Sequence, residues 1–88
     1  MNYFTQFWDE NRDDEYADWG FSTWYFETND ADDVLKQITV YKNGKVTKYH
    51  EKNQEDEFGG LCEGALTIDD CDGDVISKED FYKVWELN

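Results

Sequence analysis

The sequence predicts an α+β domain: an antiparallel sheet of about four strands with a central Asn-Gly hairpin and one C-terminal helix. Three observations carry this. Two runs rich in β-branched and aromatic residues flank Asn43-Gly44. Two further aromatic runs precede them, at 2–8 and 20–27. The chain then closes on SKEDFYKVWEL, where apolar residues recur at helical spacing behind a serine. At 88 residues one domain is the sensible count, so 1–88 is read as a single acidic α+β domain.

Asn2–Trp8 reads as a strand that ends at Asp9-Glu10-Asn11. Residues 9–18 (DENRDDEYAD) lack a helical stripe and read as an acidic loop. Gly20–Glu27 reads as a second strand, with Phe21, Thr23 and Tyr25 on one face and Trp24 and Phe26 on the other. Thr28–Asp33 is turn-rich. Val34–Glu51 is the strongest local signal, because Asn-Gly between β-prone runs favours a two-residue type I′ hairpin. That turn pairs Tyr41 with Val46 and Ile38 with Tyr49, and sets Ile38, Val40 and Tyr49 on one face. Lys52–Glu57 reads as a polar loop, 58–61 (FGGL) as a tight turn, and Ala65–Ile68 as a short strand. Ser77 is placed as a helix N-cap, with Glu79 and Asp80 in the favourable first turn. Phe81, Val84, Trp85 and Leu87 make the apolar stripe.

Charge is the second theme. The chain holds 22 Asp+Glu against 8 Lys+Arg, a net charge of −14. Such a balance can mean disorder. Aromatics at 18% argue for a real core instead, since each can bury about 150–250 Å². The acid is uneven. Counting from the sequence, residues 1–33 hold ten carboxylates and one base, net −9; residues 34–53 hold five lysines and one acid, net +4; residues 54–88 hold eleven carboxylates and two lysines, net −9. Each acidic block exceeds the roughly 2–8 charges that solubility needs for a small domain.

Several classes drop out. No run of about 18 apolar residues is present to cross a membrane. The N-terminus lacks the basic start and small-residue cleavage site of a secretory signal, so a cytoplasmic chain with both cysteines reduced is expected. Direct binding to nucleic acid or to an anionic membrane surface is disfavoured by the net charge. Catalysis has little to work with. His50 is the single histidine, and Cys62 and Cys71 lack metal-ligand spacing. No phosphate-binding glycine loop and no nucleophile elbow is found, and nothing local pairs Cys62 with His50. The expectation is a non-enzyme without a cofactor.

Two acidic segments invite a binding role. Asp13, Asp14, Glu15 and Asp18 surround Tyr16 and Trp19, and Trp24 follows on the next strand. A sheet with aromatics on both faces has more apolar area than one helix can cover. Tyr and Trp anchors ringed by carboxylates suit a basic partner, with Asp69, Asp70, Asp72 and Asp74 as further charge contacts. Residues 70–80 also resemble an EF-hand calcium loop with Asp70, Asp72, Asp74 and Asp80 as ligands. The glycine needed at the loop's sixth position is missing, however, and aligning the closing acid costs a one-residue deletion. An Asp-Gly turn ahead of a capped helix accounts for the same residues.

The motifs ITVYKNGKV (38–46), DEFGGL (56–61) and ISKEDFYKVWE (76–86) carry a resemblance. Together they resemble a family of small bacterial domains of unknown function encoded in toxin–immunity neighbourhoods. Ile76, Ser77, Phe81 and Trp85 match that family's helical ending, and the likeness spans residues 34–87. The family's His- and Pro-containing region has no counterpart in a chain without proline. The resemblance implies fold rather than chemistry. By size, acidity and lack of catalytic groups, the chain also looks like an immunity protein. The leading expectation is an inhibitor that occludes a basic nuclease toxin. A phage-encoded DNA mimic directed at a restriction or RNA-guided defence nuclease needs the same surface. The rivals are a small calcium module and a structural subunit or homodimer burying its spare aromatics.

Overall fold

The computed structural model describes residues 1–9, 17–50, 52–56, 59–61, 66 and 73–86. Its order is β1 (Asn2–Trp8), a 3-10 turn (Ala17–Trp19), β2 (Ser22–Thr28), β3 (Val34–Tyr41), β4 (Val46–His50), β5 (Glu55–Asp56), β6 (Gly59–Gly60), β7 (Asp74–Val75) and helix α1 (Lys78–Trp85). The α+β architecture expected from the sequence is present. Strands β4-β3-β2-β1-β7 form one antiparallel sheet, and β5-β6 form a second, two-stranded piece.

Strand β1 has the expected bounds. β2 starts two residues later than expected, because Gly20 sits at φ +83°, outside any strand geometry. The face assignment within β2 holds: Phe26 pairs Phe4 and Trp24 pairs Gln6, while Tyr25 and Thr23 face the other way opposite Thr5 and Phe7. β7 is a strand that no sequence signal announced. It pairs Asp74 with Thr5 and Val75 with Phe4, and Ile76 N–H donates to the Tyr3 carbonyl at 3.0 Å. The glycine-rich stretch, expected as a turn, supplies β6. Leu66 lies outside any strand, and the rest of the expected 65–68 strand falls outside the described residues.

The central hairpin forms, but one residue out of the expected register. Val40 pairs Val46, Thr39 pairs Thr47 and Gln37 pairs Tyr49. The loop has three residues: Tyr41 N–H donates to the Lys45 carbonyl at 2.9 Å, and Gly44 N–H donates back to Tyr41 at 2.8 Å. Only Gly44 takes a positive φ, +90°, as in a type I turn with a glycine bulge. Two external bonds favour this loop. Lys42 N–H donates to the Phe21 carbonyl at 2.9 Å and Asn43 N–H to that of Trp19 at 3.3 Å. A one-residue slip sends side chains to the opposite face. Tyr49 is therefore buried with Thr39, Tyr41 and Thr47, away from Ile38 and Val40.

The sheet separates two apolar clusters. On one face Phe4, Phe26 and Val34 pack with Trp24, Leu61 and Leu66. On the other, α1 lays Phe81 on Tyr3 with ring centroids 5.4 Å apart. Ser77 caps α1 as expected, its Oγ accepting the Asp80 N–H at 3.0 Å. Phe81 and Ile38 are both fully buried. The expected stripe omitted Tyr82, which proves to be the helix's polar anchor. Its hydroxyl donates to Glu27 Oε2 at 2.7 Å and accepts from Lys36 Nζ at 2.7 Å. Glu27 is 4% exposed, and its cross-strand neighbours are Tyr3 and Lys36, the latter with Nζ 3.9 Å from Oε1. A buried carboxylate needs such donors, and here they come from two neighbouring strands and the helix together.

Burial, helped by the hydrogen bond to Glu27 and its charge, raises the Tyr3 phenol from 10.0 to about 12. The unfolded chain then releases this proton earlier than the fold does. Stability should be complete below pH 10 and fall as pH rises toward 12. Thermal melts across that alkaline window should show the fall, and Tyr3→Phe should flatten it. Thr28 presents the opposite case. It is 1% exposed and its hydroxyl has no hydrogen-bond partner among the described residues. Thr28→Val should raise stability by roughly 1 kcal/mol in urea denaturation, because an unsatisfied buried hydroxyl carries its full desolvation cost.

Candidate functional site

The two ends of the sheet differ. Phe26, Glu27 and Thr28 are buried in succession, so both faces are covered where β2 ends. Where β2 begins, Ser22 is buried but Thr23, Trp24 and Tyr25 are only half-buried. The same open end gathers the last residues of β1 and the β3–β4 turn. Phe7 is 59% exposed, Trp8 46% and Phe21 38%. Phe7 and Phe21 touch, with centroids 5.3 Å apart. Strand alternation points Phe7 and Trp8 to opposite faces, so this rim shows aromatic surface on both sides.

A depression of about 430 Å³ lies beside these rings, lined by Asp9, Asp18, Trp19, Gly20, Phe21, Lys42 and Asn43. Asp9 and Asp18 are both exposed. Trp19 is half-buried and meets Tyr41 edge-on at 4.9 Å. Two lysines of the turn fold back on this end: Lys42 Nζ stands 5.7 Å above the Phe21 ring and Lys45 Nζ 5.9 Å above Trp19. Gly20 makes the fit. A Cβ there would come within 2.9 Å of Lys42 Cβ.

Of the residues proposed from sequence, Asp18 and Trp19 are brought together here. Asp13, Asp14, Glu15 and Tyr16 lie outside the described residues, as do Asp69, Asp70 and Asp72. Trp24 is not in the depression. It lies on the sheet face, tilted little from Phe26 at 6.1 Å, with Nε1 donating to Ser22 Oγ at 2.9 Å. Asp74 is exposed in β7, and Asp80 is exposed in the first turn of α1. Among the described residues no three His, Cys, Asp or Glu side chains converge as metal ligands would. His50 is half-buried on β4, edge-on to Trp85 at 5.8 Å, and its Nδ1 accepts the Lys52 N–H at 3.3 Å. Cys62 lies outside the described residues.

Sequence reasoning missed Asp9, Phe7 and Phe21 as surface groups. Aromatic strand residues default to the core, and the signal against that default was the excess of aromatic area over what one helix covers. No described helix is long and apolar enough to cross a membrane. Set against protein-family models, curated proteins and solved structures, the chain matches none of them.

Proposed function

We propose that this protein is an acidic inhibitor that binds a basic partner and blocks its cleft, in the manner of an immunity protein neutralising a nuclease toxin. One observation carries the reading: the exposed rings of Phe7, Trp8 and Phe21 stand at one end of the sheet beside Asp9 and Asp18, in a chain of net charge −14. Aromatic anchors give contact energy once desolvated, and the surrounding carboxylates steer a cationic surface toward them. The acids of residues 10–15 follow Asp9 directly in the sequence. The mechanism is occlusion. The inhibitor occupies the positive cleft that a phosphate backbone would enter, and the protein needs no chemistry of its own.

The test uses the basic protein that co-purifies with the tagged chain from its native host. Stopped-flow association should run near 10⁸ M⁻¹ s⁻¹ at low salt and drop toward about 10⁶ M⁻¹ s⁻¹ in high salt. Asp9→Asn with Asp18→Asn should lower the low-salt rate several-fold while leaving the melting temperature in place. Rates insensitive to both salt and these amides would refute the reading.

A further inference from the structure

The four tryptophans are not equivalent in their cations. Lys45 Nζ sits 5.9 Å from the Trp19 ring, and Lys36 and Lys48 stand 5.5 and 6.0 Å from Trp85. All the lysines of the chain are among the described residues. None of them, and no other described cation, lies over Trp8 or Trp24. Yet these two rings share a groove of about 330 Å³ on the sheet face, with Gln6, Phe26, Gln37, Gly60 and Leu66. That volume is at the small end of ligand pockets, roughly 300–1,000 Å³, and has room for one long inserted side chain.

The walls define what that side chain should be. Gln6 pairs with Trp24 across the strands and is half-buried, and its amide makes no hydrogen bond among the described residues. It offers a carbonyl acceptor beside two indoles. Asp9 follows Trp8 directly in the chain but lines the neighbouring depression beside Phe21, so the groove's own walls carry no charge. An arginine suits the indoles, the Gln6 amide and the net charge of −14 on the chain. Its guanidinium is flat enough to stack on an indole, weakly hydrated enough to enter an apolar groove, and has donors in its own plane for Gln6. A lysine ammonium is strongly hydrated and loses more on entry. The negative charge of the chain favours either cation, but the apolar walls separate them.

We infer that the groove between Trp8 and Trp24 is the socket for an arginine side chain of the basic partner, held by stacking on the indoles and by the Gln6 carbonyl. This rests on the reading of the protein as an acidic inhibitor, and it names the contact that would anchor the complex.

Two blocked tripeptides test it, acetyl-Gly-Arg-Gly-amide and its lysine counterpart, titrated into the ¹⁵N-labelled protein. The arginine peptide should move the indole N–H signals of Trp8 and Trp24 saturably, and bind about fivefold tighter than the lysine peptide. Trp8→Leu should weaken it about tenfold. Trp8 is 46% exposed, so the variant should fold, and Gln6→Met gives a second route to the same loss. The arginine preference should persist at high salt, since it comes from stacking. Equal, salt-sensitive binding of both peptides would overturn the socket and leave the charge-based reading standing. A retained arginine preference in a protein whose partner binds without salt dependence would support the socket and refute that reading. No movement of either indole, or movement at Trp19 and Trp85 instead, would overturn the socket.

Discussion

Replacing Phe81 with alanine is expected to cost about 3–5 kcal/mol. The ring is fully buried between α1 and the sheet. It meets Tyr3 at 5.4 Å, Tyr82 at 5.2 Å and Trp85 at 6.1 Å. Alanine removes all three ring contacts and leaves a cavity that the hydrogen-bonded Tyr82–Glu27–Lys36 cluster prevents from collapsing. A domain of 88 residues has a total stability of roughly 4–13 kcal/mol, so this one change removes a large share or all of it. Phe81→Leu should cost clearly less, because most of the volume stays. Urea denaturation of both variants checks the prediction. A loss below about 1 kcal/mol for the alanine variant would mean that α1 is not held to the sheet by this ring.

Gly20→Ala is expected to cost about 2–4 kcal/mol, the sum of two effects. At φ +83° an alanine pays for a left-handed backbone. Its Cβ would also come within 2.9 Å of Lys42 Cβ, an atom fixed close to its own backbone. That backbone cannot withdraw easily, since Lys42 N–H is bonded to the Phe21 carbonyl at 2.9 Å. Gly44→Ala is the control. Its φ is +90°, but a Cβ there meets nothing within 4 Å, so only the backbone cost of about 1–2 kcal/mol should appear. Equal losses at the two glycines would show that the close approach of Gly20 to Lys42 is unimportant. Gly20 and Lys42 both line the depression beside Phe21, so the same change alters its shape.

Much of the frame was legible in the residues. The bounds of β1, the presence of the hairpin and the Ser77 cap all follow from short-range rules: alternation, turn chemistry and a side-chain oxygen placed to accept the Asp80 N–H. The misreadings have a common origin. The hairpin register depends on carbonyls of Trp19 and Phe21, more than twenty residues away from the turn they hold. The two residues of β7 show no pattern of their own and become a strand only because β1 offers a partner.

Composition, charge and local pattern by themselves determined that this chain is acidic, rich in aromatics and of α+β class. Only the tertiary structure decided which aromatics are spare. Alternation assigns a residue to a face of the sheet, but whether α1 or the side chains of Leu61 and Leu66 cover that face is set by where distant segments land. The same holds for Glu27. In the sequence it is one acid among 22, and it becomes a buried, helix-clamping carboxylate because Tyr3, Lys36 and Tyr82 arrive from three other elements. Long-range packing, which no local window contains, sorts equivalent residues into core and surface.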